Sequence, residues 1–251
     1  MVSDVHGSAE ALARAGDGAD VLVCLGDLLL FLDYADSSAG IFAELFGADN
    51  AERLVALRTA RQFDDARGFS RQLWSSLAGD PRQVLEAAVR AQYAELFAAL
   101  PEPAFVTYGN VDLPALWPDY LKRGHTVLDG QVVEIGGRRW GFVGGGLQTP
   151  MRTPYEIDDA TYAAKVAAVG AVDVLACHIP PDVPGLLYDV DARRFERGSA
   201  AVLDAIRDTS PQLVLFGHVH QPLRSRVRIG RTECVNVGHF RGSGTPFCLE
   251  Y

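Results

Sequence analysis

The chain has no CxxC pair, no basic tail, and no apolar run of the ~20 residues needed to span a bilayer. The four cysteines, Cys24, Cys177, Cys234 and Cys248, each sit in an apolar run that reads as a strand. They read as buried thiols in a reducing compartment rather than as disulfides. The longest apolar stretch near the start, VLVCLGDLLLFL, is broken by Gly26 and Asp27, so no membrane contact is expected. No secretory leader is expected ahead of the first motif, and cytoplasm is the default expectation. With a formal net charge of -9 and no Arg-rich stripe, no stable nucleic-acid complex is expected. A small anionic substrate stays open, because bound cations reverse the local field. Arg224, Arg226, Arg228 and Arg231 cluster near the C-terminus and read as a solvated strand face or as a substrate or partner patch. There is no internal repeat and no disordered tail.

The 251 residues, 48% of them hydrophobic, suffice for a substantial core. They read as a single domain over 1–251. Met1, Val2 and Ser3 leave room only for a stub of strand. Residues 9–15 are helix-compatible, and VLVCLG (21–26) reads as a buried strand. The α/β order then pauses. Residues 38–100 carry helical periodicity, with a stop and restart at Gly79-Asp80-Pro81, where Asp80 caps and Pro81 opens the next helix. The stripe from Val84 to Leu100 has one polar interruption, Gln92. This helical insertion reads as a lid, a surface for a homo-oligomer, or packing. Later strands are expected at 104–109, 172–177, 212–217, 225–230, 232–237 and 246–251. A hairpin is expected at Val132–Ile135 and Trp140–Val143, and helices at 158–169 and 199–207. The pattern predicts a mixed-sheet α/β domain with helices outside.

Five segments that follow apolar strands hold the chemistry: SDVHG (3–7), LGDLL (25–29), YGNVD (108–112), CHIPP (177–181) and FGHVHQP (216–222). Loops at the carboxyl ends of strands converge on one edge of such sheets. Asp4 and Asp27 offer carboxylates, Asn110 a carbonyl oxygen, and His6, His178, His218 and His220 imidazoles. This mixed oxygen and nitrogen set suits Mn, Fe, Zn, Co or Ni. Asp4 and His6 lie two apart, as do His218 and His220, and extended spacing puts each pair on one side. The alternative, polar groups that only satisfy one another, buries much charge without gain.

The series D-V-H at 4–6, G-D at 26–27, G-N at 109–110, His178 and G-H-V-H at 217–220 resembles the calcineurin-like metallophosphoesterases. The likeness covers about residues 1–34 and 104–240. It implies a four-layer α-β-β-α sandwich of two mixed sheets, with 38–100 as an inserted helical segment. It implies two divalent metal ions, one on Asp4, His6, Asp27 and His220, the other on Asp27, Asn110, His178 and His218, with Asp27 bridging. Hydrolysis of phosphoric esters, most readily diesters, by a hydroxide activated between the ions is the implied activity. Phosphomonoester or nucleotide hydrolysis, and a non-catalytic scaffold of the same fold, are the alternatives.

One position departs from the common family pattern. Many members read GNH where this chain has GNVD, and Val111 cannot donate a proton. Asp112 is expected to orient a ligand, with a helix N-cap as the alternative. In NVGHFRG (236–242), His239 stands where the family often has serine, and reads as a substitute proton donor or as a structural histidine. Thr149, Arg152 and Thr153 follow GGG (144–146) within reach of an anionic group, and Arg152 is the candidate substrate contact. Asp33 and Tyr34 read as pocket lining or ordinary loop. His125 reads as non-catalytic.

Overall fold

The computed structural model describes residues 1–250. A small sheet pairs β1 (Leu22–Cys24) with β2 (Ala104–Val106) and β2 with β3 (His125–Val127), both in parallel. Val2 bridges Cys24 as the expected strand stub. The large sheet holds β4 (Gln131–Ile135), β5 (Arg138–Val143), β6 (Val174–Cys177), β7 (Leu213–Phe216), β8 (Arg226–Ile229) and β9 (Thr232–Asn236). Its order is β8-β9-β7-β6-β5-β4, parallel inside and antiparallel at both edges.

Alternation along the strands builds the layers. Val23 and Leu25 face inward onto Trp140, Phe142, Val174 and Leu215, forming the core between the sheets. Their neighbours Leu22 and Cys24 face outward onto Leu12, Tyr93, Leu96 and Phe97. On the large sheet, Leu175, Cys177, Val214 and Phe216 face outward onto Tyr162, Val166, Val202 and Ile206. Strands covered on both faces read as continuous apolar runs, which is what the sequence shows. The result is an α/β sandwich with helices on both outer faces. Cutting the fully buried Phe142 to Ala would cost about 3–5 kcal/mol.

Side-chain caps fix the starts of three helices. Seven helices matter here: α1 (Ala9–Leu12), α2 (Ile41–Phe46), α3 (Ala48–Thr59), α4 (Phe63–Ser76), α5 (Pro81–Ala99), α6 (Asp159–Val169) and α7 (Ala200–Thr209); short turns of helix also occur at Pro184–Leu187 and Phe240–Ser243. Asp80 accepts the Arg82 N–H ahead of α5, Asp158 the Thr161 N–H ahead of α6, and Ser199 the Val202 N–H ahead of α7. The helical segment divides by packing. Helix α5 contributes Val89, Tyr93, Leu96 and Phe97 to the layer over the small sheet. Helices α2 to α4 instead share a core of their own, with Phe42, Ala51, Leu54 and Ala66.

Three local expectations change. Residues 9–15 hold only the four-residue α1. Residues 246–250 form no strand. Pro246 lacks an N–H, and the segment is held instead where Met1 and Phe247 exchange backbone hydrogen bonds at 2.6 and 2.8 Å. Tyr251 lies outside the described residues. Cys248, expected to be buried, is exposed, whereas Cys24, Cys177 and Cys234 are buried and free. Arg226 and Arg228 lie exposed on the edge strand β8, Arg226 paired to Glu233 at 3.1 Å. Among the described residues no helix is long and apolar enough to cross a membrane.

Candidate metal centre

The loops after the Val2 stub, β1, β2, β6 and β7 meet at one edge. Their contact depends on glycine: a Cβ on Gly26 would overlap the backbone of Gly109, and one on Gly109 would overlap the Asp27 carboxylate. The backbone is also strained where it carries the polar side chains. Asp4, His6, Asp27 and His218 have φ of 57°, 42°, 55° and 68°, a left-handed conformation costing about 1–3 kcal/mol each. This corrects the reading of Asp4–His6 and His218–His220 as pairs aligned by extended spacing. Tight left-handed turns aim these side chains, and His218 and His220 go to different groups.

Three overlapping groups of side chains have ligand atoms within 4.8 Å of one another: Asp4, His6 and Asp27; Asp27, His178 and His218; His6, His220 and His239. Asp27 belongs to two of them. His6 Nε2 lies 3.9 Å from both Asp4 Oδ1 and Asp27 Oδ2, and 3.3 Å from His220 Nε2. His178 Nε2 lies 3.4 Å from Asp27 Oδ2 and 3.0 Å from Asn110 Oδ1. The Asn110 amide nitrogen donates to Thr153 Oγ1 at 2.9 Å, which turns the amide oxygen toward the cluster.

The hydrogen bonds test whether a metal fits. His6 Nδ1 donates to the Leu29 carbonyl and His178 Nδ1 to the Leu25 carbonyl, both at 2.9 Å. A carbonyl only accepts, so in each neutral ring Nε2 carries the lone pair. The His178 lone pair faces Asn110 Oδ1 and Asp27 Oδ2, and that of His6 faces carboxylate oxygens of Asp4 and Asp27, so a metal ion or a proton is needed between them. Oδ1 of Asp4 is buried without a hydrogen-bond partner, with His220 Nε2 at 3.5 Å. Carboxylates, an amide oxygen and imidazoles braced from behind are the donor set of a divalent ion site.

The electrostatics agree. Burial opposes charge on Asp4, but His220, His178 and His6 hold its carboxyl well below the usual range. Burial likewise opposes charge on Asp27, and His178 and His6 hold it low. Burial pushes His178 down, yet Asp27 and Asp4 lift it to about 9, so without metal a proton occupies this place. Burial keeps His6 and His218 below the ordinary imidazole value.

The remaining sequence candidates divide. Asp112 caps no helix and acts on the loop that carries the ligand Asp27. Its carboxylate accepts the backbone N–H groups of Asp27 at 2.8 Å, Leu28 at 3.0 Å and Gly109 at 2.8 Å. Burial first, then the charge of Asp27, raises it to about 7. His239 stacks on His220, with ring centroids 3.9 Å apart. Thr149 and Thr153 are not free for an anion, since both hydroxyls donate to Glu156. Arg152 is exposed on the same loop. Tyr34 is 46% exposed, while Asp33 pairs with Arg241. His125 sits in β3, its Nε2 3.3 Å from the Leu100 carbonyl, away from the cluster.

Two contributors were missed. Arg241 donates to the His6 carbonyl at 2.9 Å and to Asp33 at 2.8 Å, bracing the first loop. Gln92 on α5 accepts the Leu30 N–H at 2.6 Å and donates to the Leu30 carbonyl at 3.3 Å. Its place as the polar interruption in an apolar stripe was the available signal.

No curated protein matches the sequence. Among solved structures, one covers 95% of this chain and 89% of its own, with TM-score 0.58 and 17% identity, a likeness of fold. Residues 1–222 match the calcineurin-like phosphoesterases. With its ligand groups clustered as that chemistry requires, the site is a binuclear centre for divalent ions. The chain belongs to the calcineurin-like phosphoesterase family, a metal-dependent hydrolase of phosphoric esters.

Proposed function

We propose that the protein hydrolyses small phosphodiesters with good leaving groups. In this reading Asp4, His6, Asp27 and His220 hold one ion, and Asp27, Asn110, His178 and His218 the other. Two bound divalent ions supply a low-pKa water and neutralise charge on the phosphoryl oxygens. The chain's own residues do the rest. The Nδ1 bonds of His6 and His178 lock the rings so that Nε2 faces the centre. Asp112 fixes the backbone of Asp27, so that the shared carboxylate does not drift. Asn110 is held by Thr153, with its oxygen turned inward.

Val111 is the observation behind the substrate preference. Its side chain has no proton, and its backbone N–H is already given to Asp27 Oδ1 at 2.9 Å. A leaving group at this loop therefore departs without protonation from residue 111, which favours aryl over alkyl esters. Arg152 is the proposed contact for the substrate's outer oxygens. Manganese is among the candidate ions, and cytoplasm is the proposed location. The experiment is a screen of the metal-reconstituted protein against diesters and monoesters. Higher kcat/KM for aryl diesters supports the proposal. Preference for monoesters would replace it with a phosphatase or nucleotidase reading, and no turnover of any ester with both ions bound would leave a scaffold.

A further inference from the structure

We infer that His239 is a ligand, through Nε2, to the divalent ion held by His6 and His220. This rests on the binuclear reading above and adds an imidazole to it. His239 Nε2 is buried and has no hydrogen-bond partner. Such an orphan is costly unless something meets it. Ligand atoms of His6, His220 and His239 lie within 4.8 Å of one another, close enough for one ion to reach all three with modest side-chain adjustment. The His239 ring lies parallel to His220, at 5° and 3.9 Å, and presents its edge to His6 at 5.9 Å.

The placement is built rather than incidental. The Asn236 amide donates to the Gly217 and Val219 carbonyls at 3.3 and 2.9 Å, and its oxygen accepts the Gly238 N–H at 2.8 Å. That pins the His239 loop to the loop carrying His218 and His220. On the other side, the Phe240 and Arg241 N–H groups donate to the Ser3 and Asp4 carbonyls at 3.0 and 3.1 Å. The loop is thus stitched to both segments that supply ligands on this side. A side chain on Gly242 would come within 3.0 Å of His239 Nδ1, so glycine there leaves the ring its space.

A neutral imidazole keeps one ring nitrogen as a lone pair, and Nε2 is the buried nitrogen that no donor in the chain meets. Three imidazoles on one ion favour borderline metals such as Fe, Co, Ni or Zn. A ligated Nε2 has no proton to donate, so that atom is not the general acid that Val111 fails to be.

The test is cobalt(II) titration of metal-free wild type, His239→Ala and His239→Asn. It is followed by competition with a chelator and by the visible absorption of the loaded protein. Wild type should take two ions. Both variants should keep one ion at wild-type affinity, bind the other at least ~10-fold more weakly, and show altered cobalt absorption. Thermal melting of the metal-free variants, expected near the wild-type value, separates lost ligation from lost folding. Unchanged affinity and absorption in both variants overturn the inference, whether or not turnover falls. Wild type that binds no more than one ion overturns the binuclear reading itself, an outcome read without any variant.

Discussion

The carboxylate of Asp112 accepts the backbone N–H of Asp27 at 2.8 Å, so the residue beside the metal centre acts on the backbone of the shared ligand. It also binds Leu28 and Gly109, tying the loops after β1 and β2 together. Asp112→Asn replaces one acceptor oxygen with a donor that faces N–H groups. Metal affinity should drop by about 10- to 100-fold, the usual cost of losing a group that positions a ligand. Calorimetric metal titration checks this, and unchanged affinity would reduce Asp112 to loop packing.

Asp27→Asn should lower turnover by at least ~100-fold, since it weakens both ion sites and the water they activate. His125→Ala serves as the control. His125 packs in β3 against Leu100, so its loss should cost stability and leave turnover per folded molecule unchanged.

In the metal-free protein, His178 should titrate near 9, above the unfolded imidazole value of about 6.5. A raised folded pKa means its stabilising contribution is complete below 6.5 and is lost as pH rises through 9. The melting-temperature gap between metal-free wild type and His178→Gln should therefore narrow from pH 6.5 to 9. Metal binding at pH 7.5 should release the His178 proton. NMR titration of the ring reads both effects, and an imidazole titrating at or below 6.5 would remove the claimed pairing with Asp27.

Much of the site was legible because residue type and strand-end placement carry it. Asp4, His6, Asp27, Asn110, His178, His218 and His220 are short motifs after apolar runs, and the topology brings those ends together. What spacing misjudged was the backbone. Asp4, His6 and His218 lie in left-handed turns that local pattern does not encode, because tertiary contacts pay for that strain. Arg241 and Gln92 act through hydrogen bonds to backbone groups distant in sequence; the break in the apolar stripe marked Gln92 but not its partner, and nothing local marked Arg241. The division of the helical segment at α5 was likewise hidden, since one amphipathic stripe looks alike whichever core it joins.

Gln92 offers a separate check on that division. Gln92→Leu leaves the Leu30 N–H and carbonyl without their partner, and should destabilise the protein by about 1–2 kcal/mol. Urea denaturation measures it. No loss would mean that α5 is not anchored to the loop that follows Asp27.

The most direct measurement of the binuclear account is turnover of an aryl phosphodiester, followed as metal is titrated into the metal-free protein alongside elemental analysis. The account predicts that turnover rises until two ions are bound per chain. Full turnover reached at one ion per chain, with no second ion taken up at saturation, would contradict it.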